Sequence, residues 1–519
     1  MQKFALPFCL FSLVGVIIQF KLPLNSSLWA EPMAGASAES LTQRLIPVLG
    51  MPGEKENILV ASSVRDAKES EKPIIKFNLG DIPPEEEESR EELLANLQEG
   101  KTERGIGQME GFWQKQVEKY FQKSFSQNQA SLAHNKNDLA KVAQQTGRRP
   151  AAIYVFAQPQ MLGIVLVTPD GQPIYKSLPD VGRDKLLEEA QTFLIEVTNP
   201  RRTFTTSYLP SSQQLYKWII GPIESELQQR RIDTLIFVLD SGLRSLPVAA
   251  LHDGQQFLVE KYALGMTLNL NLMDSSYTRL QTSRVLAMGA SQFTDQNPLP
   301  AVPLELSTIV GGQSNNSPNQ GNTNAQAGLW TGTQFINERF TPETLRVQRA
   351  VNRAQIVHLA THGEFKPGPP SNSYVEFGNG KLSLDKIPQL QLDKPPLELL
   401  VLSACKTAVG DQNAQFGFAG MAVQSGVKTV VASLWYVSDQ GTLALMTEFY
   451  KQLKTAPIKA EALRQAQMAM IRGEVAVEGG QLRSTRGNIQ LPPVLLRGRN
   501  VKLSHPYYWA AFTMIGSPW

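Results

Sequence analysis

Two apolar runs, each stopping on a reactive side chain, constrain this chain more than any other feature. Ile356–Gly363 (IVHLATHG) carries His362 at its end, and Leu399–Cys405 (LLVLSAC) ends on Cys405. Both are short, rich in leucine and β-branched residues, and free of polar alternation, which is how strands covered on both faces of a parallel sheet read. Such sheets gather their chemistry at the carboxyl ends of strands, where loops converge. The 43 residues that take the chain from His362 to Cys405 are enough for a crossover between parallel strands. A thiol and an imidazole are therefore expected to face each other across one crevice.

The chain has two cysteines, and Cys9 lies in an N-terminal apolar stretch that reads as a removable targeting segment. A lone thiol with a histidine elsewhere is a candidate nucleophile, because imidazole can take the thiol proton and hold the thiolate as an ion pair. A buried, inert core cysteine fits the same spacing. Among the histidines, His358 lies inside its apolar run and reads as a hydrogen-bonded core residue. His134 is in a polar segment, and His252 and His505 sit at turns. His362, followed by Gly363, stands where the chain must leave the sheet, and is the candidate base. His358 and His362 have the spacing of a zinc pair on a helix, but along a strand they lie about 13 Å apart, too far for one ion. No metal site is expected.

At 519 residues the length points to two or three domains of about 150 residues each. A formal net charge of +3 gives no reason to expect nucleic acid as a partner. Residues 1–30 read as a signal peptide: Lys3, then the apolar Phe4–Phe20, then Leu28-Trp29-Ala30 ending on a small residue. An N-terminal anchor is the alternative, since the apolar run approaches the length of a spanning helix, and membrane contact is expected only if that segment is retained. Residues 31–92 read as a charged, Pro- and Ser-containing linker whose run Asp81–Glu92 (DIPPEEEESREE) sets seven acids against Arg90. Residues 93–204 read as helices followed by a small α/β unit with strands at Ala151–Phe156 and Leu162–Thr168. Residues 205–519 hold the larger domain.

Within that domain Leu209–Gln229 reads as an amphipathic helix and Thr234–Leu239 as a buried strand. Asp240 and Arg244 at that strand's end either line the same crevice as the candidate pair or fix a turn. Arg284–Gly289 runs into Gly289-Ala290-Ser291-Gln292-Phe293, similar to a hydrolase nucleophile elbow, but Phe293 replaces the second glycine, which makes Ser291 a poor nucleophile. Gln313–Gly328 is a polar surface loop. Gly417-Phe418-Ala419-Gly420 opens a helix and lacks the Gly-Lys-Ser/Thr of a phosphate loop. Ser438–Leu453 and Ile458–Ile471 are helices, and Tyr508–Ile515 is a closing strand.

From about Leu215 the blocks LYKWIIGPIE, LRSLPVAALHDG, EKYALG, VLAMGAS, LPAVPLELSTIV, VHLATHGEF, LLVLSACKTAVGD, FGFAGMAVQSGVKTVVASLWYVSD, LMTEFY, KAEALRQAQMAM and HPYYWAAFTMIGSPW follow in order. Together they resemble the CHAT family, caspase-like domains of the clan that includes caspases, metacaspases and separase. The resemblance implies a caspase-like α/β fold, a mainly parallel sheet flanked by helices, here preceded by a smaller α/β N-terminal region. It implies a cysteine endopeptidase working through a thioester acyl-enzyme, without cofactor, on a protein or peptide substrate. His362 would be the general base, Cys405 the nucleophile, and the backbone N–H groups of Gly363 and Cys405 the oxyanion donors. The stretch Ala432–Asp439 (ASLWYVSD) resembles the separase segment where a tryptophan and a Ser/Thr-Asp pair help form a pocket for a basic side chain. That implies cleavage after Arg or Lys with Asp439 as acceptor; the other role for Asp439 is to cap the helix that follows, which Ser438 fits equally. Two departures stand out: Gln415 where many relatives have Glu, and the absence of recognisable tetratricopeptide repeats. The alternative from another class is an exported caspase-like interaction or scaffold module with little or no turnover.

A cleaved export signal yields a mature chain beginning near Glu31, in the periplasm or outside the cell. Intact mass of material from the native host checks this: Met1 retained on a soluble cytoplasmic protein refutes export, and Met1 retained in membranes identifies an anchor.

Overall fold

A computed structural model describes residues 84–124, 131–311, 328–403, 405–407, 412–485, 487–496 and 500–519. The expected signal segment, most of the linker and nearly all of the polar loop lie outside the described residues, as does the Gln415 side chain.

The main sheet takes β1 (Pro150–Ala157), β2 (Leu162–Val167), β3 (Ile174–Leu178), β4 (Thr234–Leu239), β5 (Ala263–Thr267), β6 (Val285–Gly289), β7 (Gly332–Ile336) and β8 (Ile356–Ala360). The chain then builds a small sheet from β9 (Gly363–Phe365), β10 (Tyr374–Phe377) and β11 (Gly380–Ser383). Strand β12 (Leu399–Leu402) returns to the main sheet, β13 (Cys405–Thr407) joins the small one, and β14 (Thr429–Ser433) returns again. A hairpin sheet of β15 (Ala476–Glu478), β16 (Gln481–Ser484), β17 (Gly487–Gln490) and β18 (Val501–Lys502) precedes β19 (Phe512–Gly516). In space the main sheet runs β3-β2-β1-β4-β5-β19-β14-β12-β8-β6-β7.

Strands β1, β4, β8 and β12 are buried at every position, as strands covered on both faces must be. The edge strand β3 (IYKSL) instead exposes Lys176 and Ser177, polar residues that discourage further strand addition. Strands β1–β3 extend the same sheet through the parallel pairing of β1 with β4, so the expected boundary at 204/205 does not interrupt the main sheet.

Strand direction decides which loops share an edge. Strands β4, β5 and β19 run parallel to one another, as do β14, β12, β8 and β6, but β14 and β19 are antiparallel. From β1 to β7 the sheet is thus two parallel blocks laid head to tail, with β2 antiparallel beside β1 at one end. His362 and Cys405 follow β8 and β12 on one edge, whereas Asp240 and Arg244 follow β4 on the opposite edge, so no crevice is shared between the two pairs. A sequence shows where a strand ends but not which way it points in the sheet.

Two helical expectations also change. The helix over Leu209–Gln229 breaks into Leu209–Ile219 and Glu224–Gln229 around a 3-10 turn at Gly221–Ile223. Pro222 supplies no N–H and crowds the preceding turn. The last strand starts later than expected, because Pro506–Trp509 forms a helical turn first.

The acidic run is a correction too. It is expected to be a solvated spacer, yet Pro84–Gln98 is a helix, and Arg90 in it is 2 % exposed. Its guanidinium makes a two-pronged pair with Asp240, with Nη1 to Oδ2 at 2.6 Å, and donates to Glu86 through Nε at 3.2 Å. Asp240 also accepts the N–H groups of Ala157 at 2.9 Å and Ser241 at 2.7 Å. Burial pushes the Asp240 carboxyl up, but the charge and hydrogen bonds of Arg90, with Arg183 and the Ala157 N–H, outweigh it and hold it below the ordinary range. Composition counts charges without seeing that one arginine finds two carboxylates, which is what lets it be buried.

Arg90→Ala leaves the Asp240 charge buried and unpaired, and is expected to cost about 3–5 kcal/mol in chemical denaturation. Because the Asp240 carboxyl is depressed, this contribution is present above its unfolded value of 3.8 and is lost as pH falls below that. The Arg90→Ala deficit should therefore shrink in acid.

Candidate active site

Strand β8 ends at Ala360, and the exit is held by two backbone acceptors. Thr361 donates its hydroxyl to the Glu376 carbonyl at 2.5 Å, and the Glu376 N–H donates to the His362 carbonyl at 2.8 Å. The His362 ring is half-buried and clamped by the loop after β6: Nε2 lies 2.7 Å from the Asn297 carbonyl oxygen, and the Phe293 ring packs edge-on with centroids 4.6 Å apart. A carbonyl oxygen only accepts, so the neutral ring carries its proton on Nε2 and keeps a lone pair on Nδ1.

Cys405 opens β13, which pairs in parallel with β9 in a register that sets Cys405 opposite Gly363. Paired strands lie about 5 Å apart, so the cysteine backbone is a neighbour of the residue that follows His362. His362 and Gly363 thus meet Cys405, distant from them in sequence, at one corner where the main and small sheets join.

Asp439 is the first residue of the helix Asp439–Leu453, but the cap is Ser438, whose Oγ accepts the Gly441 N–H at 3.3 Å. The Asp439 carboxylate is left for other work. It accepts the Tyr436 hydroxyl at 3.2 Å and the Ala301 N–H. Burial pushes its carboxyl up to about 6, Glu305 adds to the rise, and the two hydrogen bonds oppose it. It lines a narrow pocket with Ala301, Glu305, Ser403 and Tyr436 among others. Ser403 lies two residues before Cys405, and Ala301 lies four after Asn297, so this pocket adjoins the His362–Cys405 corner through both chain segments. Trp435 is a buried anchor, donating Nε1–H to the Tyr507 carbonyl at 3.1 Å.

His358 is fully buried, with Nδ1 3.2 Å from the Tyr450 hydroxyl and Nε2 2.9 Å from Glu305. Ser291 is engaged with Asn337 through both its N–H and its hydroxyl. Sequence reasoning missed Asn297, Phe293 as a packing partner of His362, and Glu305. Only Glu305 left a signal: it interrupts an apolar helix face between Val302, Leu306 and Ile309.

The model of the CHAT domain family matches residues 209–517, more than half of the chain. The chain belongs to the CHAT domain family. No curated protein matches it by sequence. Among solved structures, this CHAT protein is similar to a Saccharomyces cerevisiae separase in its complex with securin, at 10% identity and TM-score 0.47, covering 80% of this chain and 34% of that one. It is also similar to the Porphyromonas gingivalis RgpB pro- and mature-domain complex, at 11% identity and TM-score 0.33, covering 60% and 69%. The chain thus spans about a third of the separase. The CHAT family is caspase-like, and the observed mainly parallel, helix-flanked sheet accords with that.

A carboxyl raised from 3.8 to about 6 costs the folded state nothing below the lower value, an increasing amount between the two, and a constant amount above the upper one. Asp439→Asn is therefore expected to stabilise the protein by about 1–3 kcal/mol at pH 8 and not at pH 4, read from denaturation midpoints at the two pH values. An equal effect at both would show that the carboxylate is not strained by burial.

Proposed function

We propose that this CHAT protein is a cysteine endopeptidase with His362 and Cys405 as its dyad and Asp439 as the acceptor for Arg or Lys at the cleaved bond. The observation that carries this reading is the register of β13 on β9, which brings Cys405 beside Gly363 while the Asn297 carbonyl leaves Nδ1 of His362 unprotonated.

The chemistry runs as acyl transfer. The Cys405 thiol gives its proton to His362 Nδ1, and the thiolate attacks the carbonyl carbon of the scissile peptide. Backbone N–H groups of Gly363 and Cys405 stabilise the oxyanion. As the tetrahedral species collapses, the C–N bond breaks, His362 returns the proton to the leaving amine, and a thioester to Cys405 remains. Water, deprotonated by His362, then attacks the thioester and restores the thiol. The Asn297 carbonyl supports the cationic imidazole in between, holding the Nε2 proton throughout. No step calls for a cofactor. Asp439 suits a basic residue because it is a desolvated carboxylate with no cation against it among the described residues. Export places this chemistry in the periplasm or outside the cell, on protein or peptide substrates.

Cys405→Ala and His362→Ala should each remove nearly all cleavage of a fluorogenic peptide while leaving the fold intact; wild-type rates in Cys405→Ala would end the nucleophile assignment, and no cleavage by the wild-type protein would favour an interaction module. A panel varied at P1 should prefer Arg or Lys, and Asp439→Asn should lower that preference about ten- to a hundredfold. The preference of wild type over neutral residues should also fall below about pH 6, where Asp439 takes up a proton, and be flat in Asp439→Asn. A wild-type preference for Asp at P1 would refute the pocket.

A further inference from the structure

The pocket beside Asp439 holds a second carboxylate. Glu305 lies on the helix Val302–Val310, is 2 % exposed, and lines the same pocket. One oxygen, Oε1, is 2.9 Å from His358 Nε2, but the contact is off the line of a hydrogen bond, and no described donor is directed at that oxygen. His358 has its other ring nitrogen 3.2 Å from the Tyr450 hydroxyl, so Glu305 is backed by a ring that is itself tethered. The other polar groups along the pocket are the Ser403 and Thr442 hydroxyls and Tyr436. Burying Glu305 and part of Asp439 with no lysine or arginine among the described lining residues is costly unless something supplies the charge.

We propose that Glu305 is the second acidic determinant of this pocket, and that Asp439 and Glu305 together select a guanidinium over an ammonium. This inference rests on the reading of Asp439 as the acceptor for a basic side chain. Two acceptors carried on different elements ask for a donor that reaches both. Guanidinium presents five N–H groups in a rigid plane that point in several directions, and it sheds water more readily than an ammonium. An ammonium is a compact, strongly hydrated point charge that satisfies the nearer acceptor and leaves the deeper one unmet. In the present conformation the void is only about 20 Å³, room for roughly one water. The Tyr436 hydroxyl occupies the place of a donor on Asp439, while its side chain is 45 % exposed. An entering guanidinium displaces that hydroxyl from Asp439 and reaches past it to Glu305. His358 and Tyr450 are positioning residues: they hold the deeper carboxylate and do not touch the substrate.

The test compares kcat/KM for matched peptides ending in Arg, Lys and a neutral residue at P1, in wild type, Asp439→Asn and Glu305→Gln, each checked for cooperative unfolding and a wild-type circular-dichroism spectrum. Wild type should favour Arg over Lys. Glu305→Gln should lower that ratio about tenfold or more, through loss on Arg far greater than on Lys or the neutral peptide. An unchanged Arg-to-Lys ratio in Glu305→Gln, alongside a lost basic preference in Asp439→Asn, overturns this inference and leaves the Asp439 reading standing. An unchanged basic preference in Asp439→Asn overturns the reading itself. Should Glu305→Gln not fold, Glu305→Asp decides, since it keeps the charge but withdraws it: a ratio equal to wild type overturns the proposal. Calorimetry with N-acetyl-argininamide and N-acetyl-lysinamide on full-length Cys405→Ala protein gives the same comparison without turnover, and equal affinities there also overturn it.

Discussion

The pairing of β13 with β9 is the contact on which the candidate site depends, because it turns two strand ends into one corner. Strands β8 and β12 are hydrogen-bonded neighbours in the main sheet, so their carboxyl ends already lie side by side. The chain leaving each strand then repeats that neighbourhood in the small sheet, where Cys405 lies across from Gly363. The loop after β6, whose strand flanks β8 on its other side, adds Asn297 and Phe293 against His362. The chain leaving three adjacent strands of one parallel block therefore converges on His362. A slip of one residue in β13 against β9 would set a different residue opposite Gly363.

Buried charge follows two different rules in the same molecule. On the edge away from His362 and Cys405, Arg90, Asp240 and Glu86 are paired, hydrogen-bonded and nearly sealed from water, and they hold an N-terminal helix to the end of β4. Beside the His362–Cys405 corner, Asp439 and Glu305 share a pocket with no lysine or arginine among its described lining residues, and the Asp439 carboxyl is raised by burial. Low dielectric strengthens a matched pair and penalises an unmatched one. The first arrangement is what a structural clamp requires. The second is a cost to the fold that makes sense where an incoming cation repays it, which is the usual relation between a binding site and stability.

The same contrast explains why the two were unequally visible. Asp240 and Arg244 read from the sequence as lining the crevice or fixing a turn because they follow a buried strand, and Arg90 read as part of a solvated spacer because acids surround it. Each inference used only neighbours in sequence. The partners that decide the matter lie far along the chain, at separations of 150 residues for Arg90 and Asp240 and 65 for His362 and Asn297.

What the sequence determined by itself is local and periodic. Uninterrupted apolar runs specify strands covered on both faces, their ends locate His362 and Cys405, and the order of motifs specifies the CHAT family. Ser438 before a helical pattern was one of two readable caps, and a glutamate on an apolar helix face was readable as an anomaly. Tertiary structure decided the rest: the antiparallel seam between β14 and β19 that sends β4 to the opposite edge, the register that brings Cys405 beside Gly363, the carbonyl that orients His362, and the convergence of Glu305 on Asp439. Strand direction and register depend on pairings between segments distant in sequence, and a carboxylate's charge depends on what surrounds it in space, neither of which a linear pattern carries.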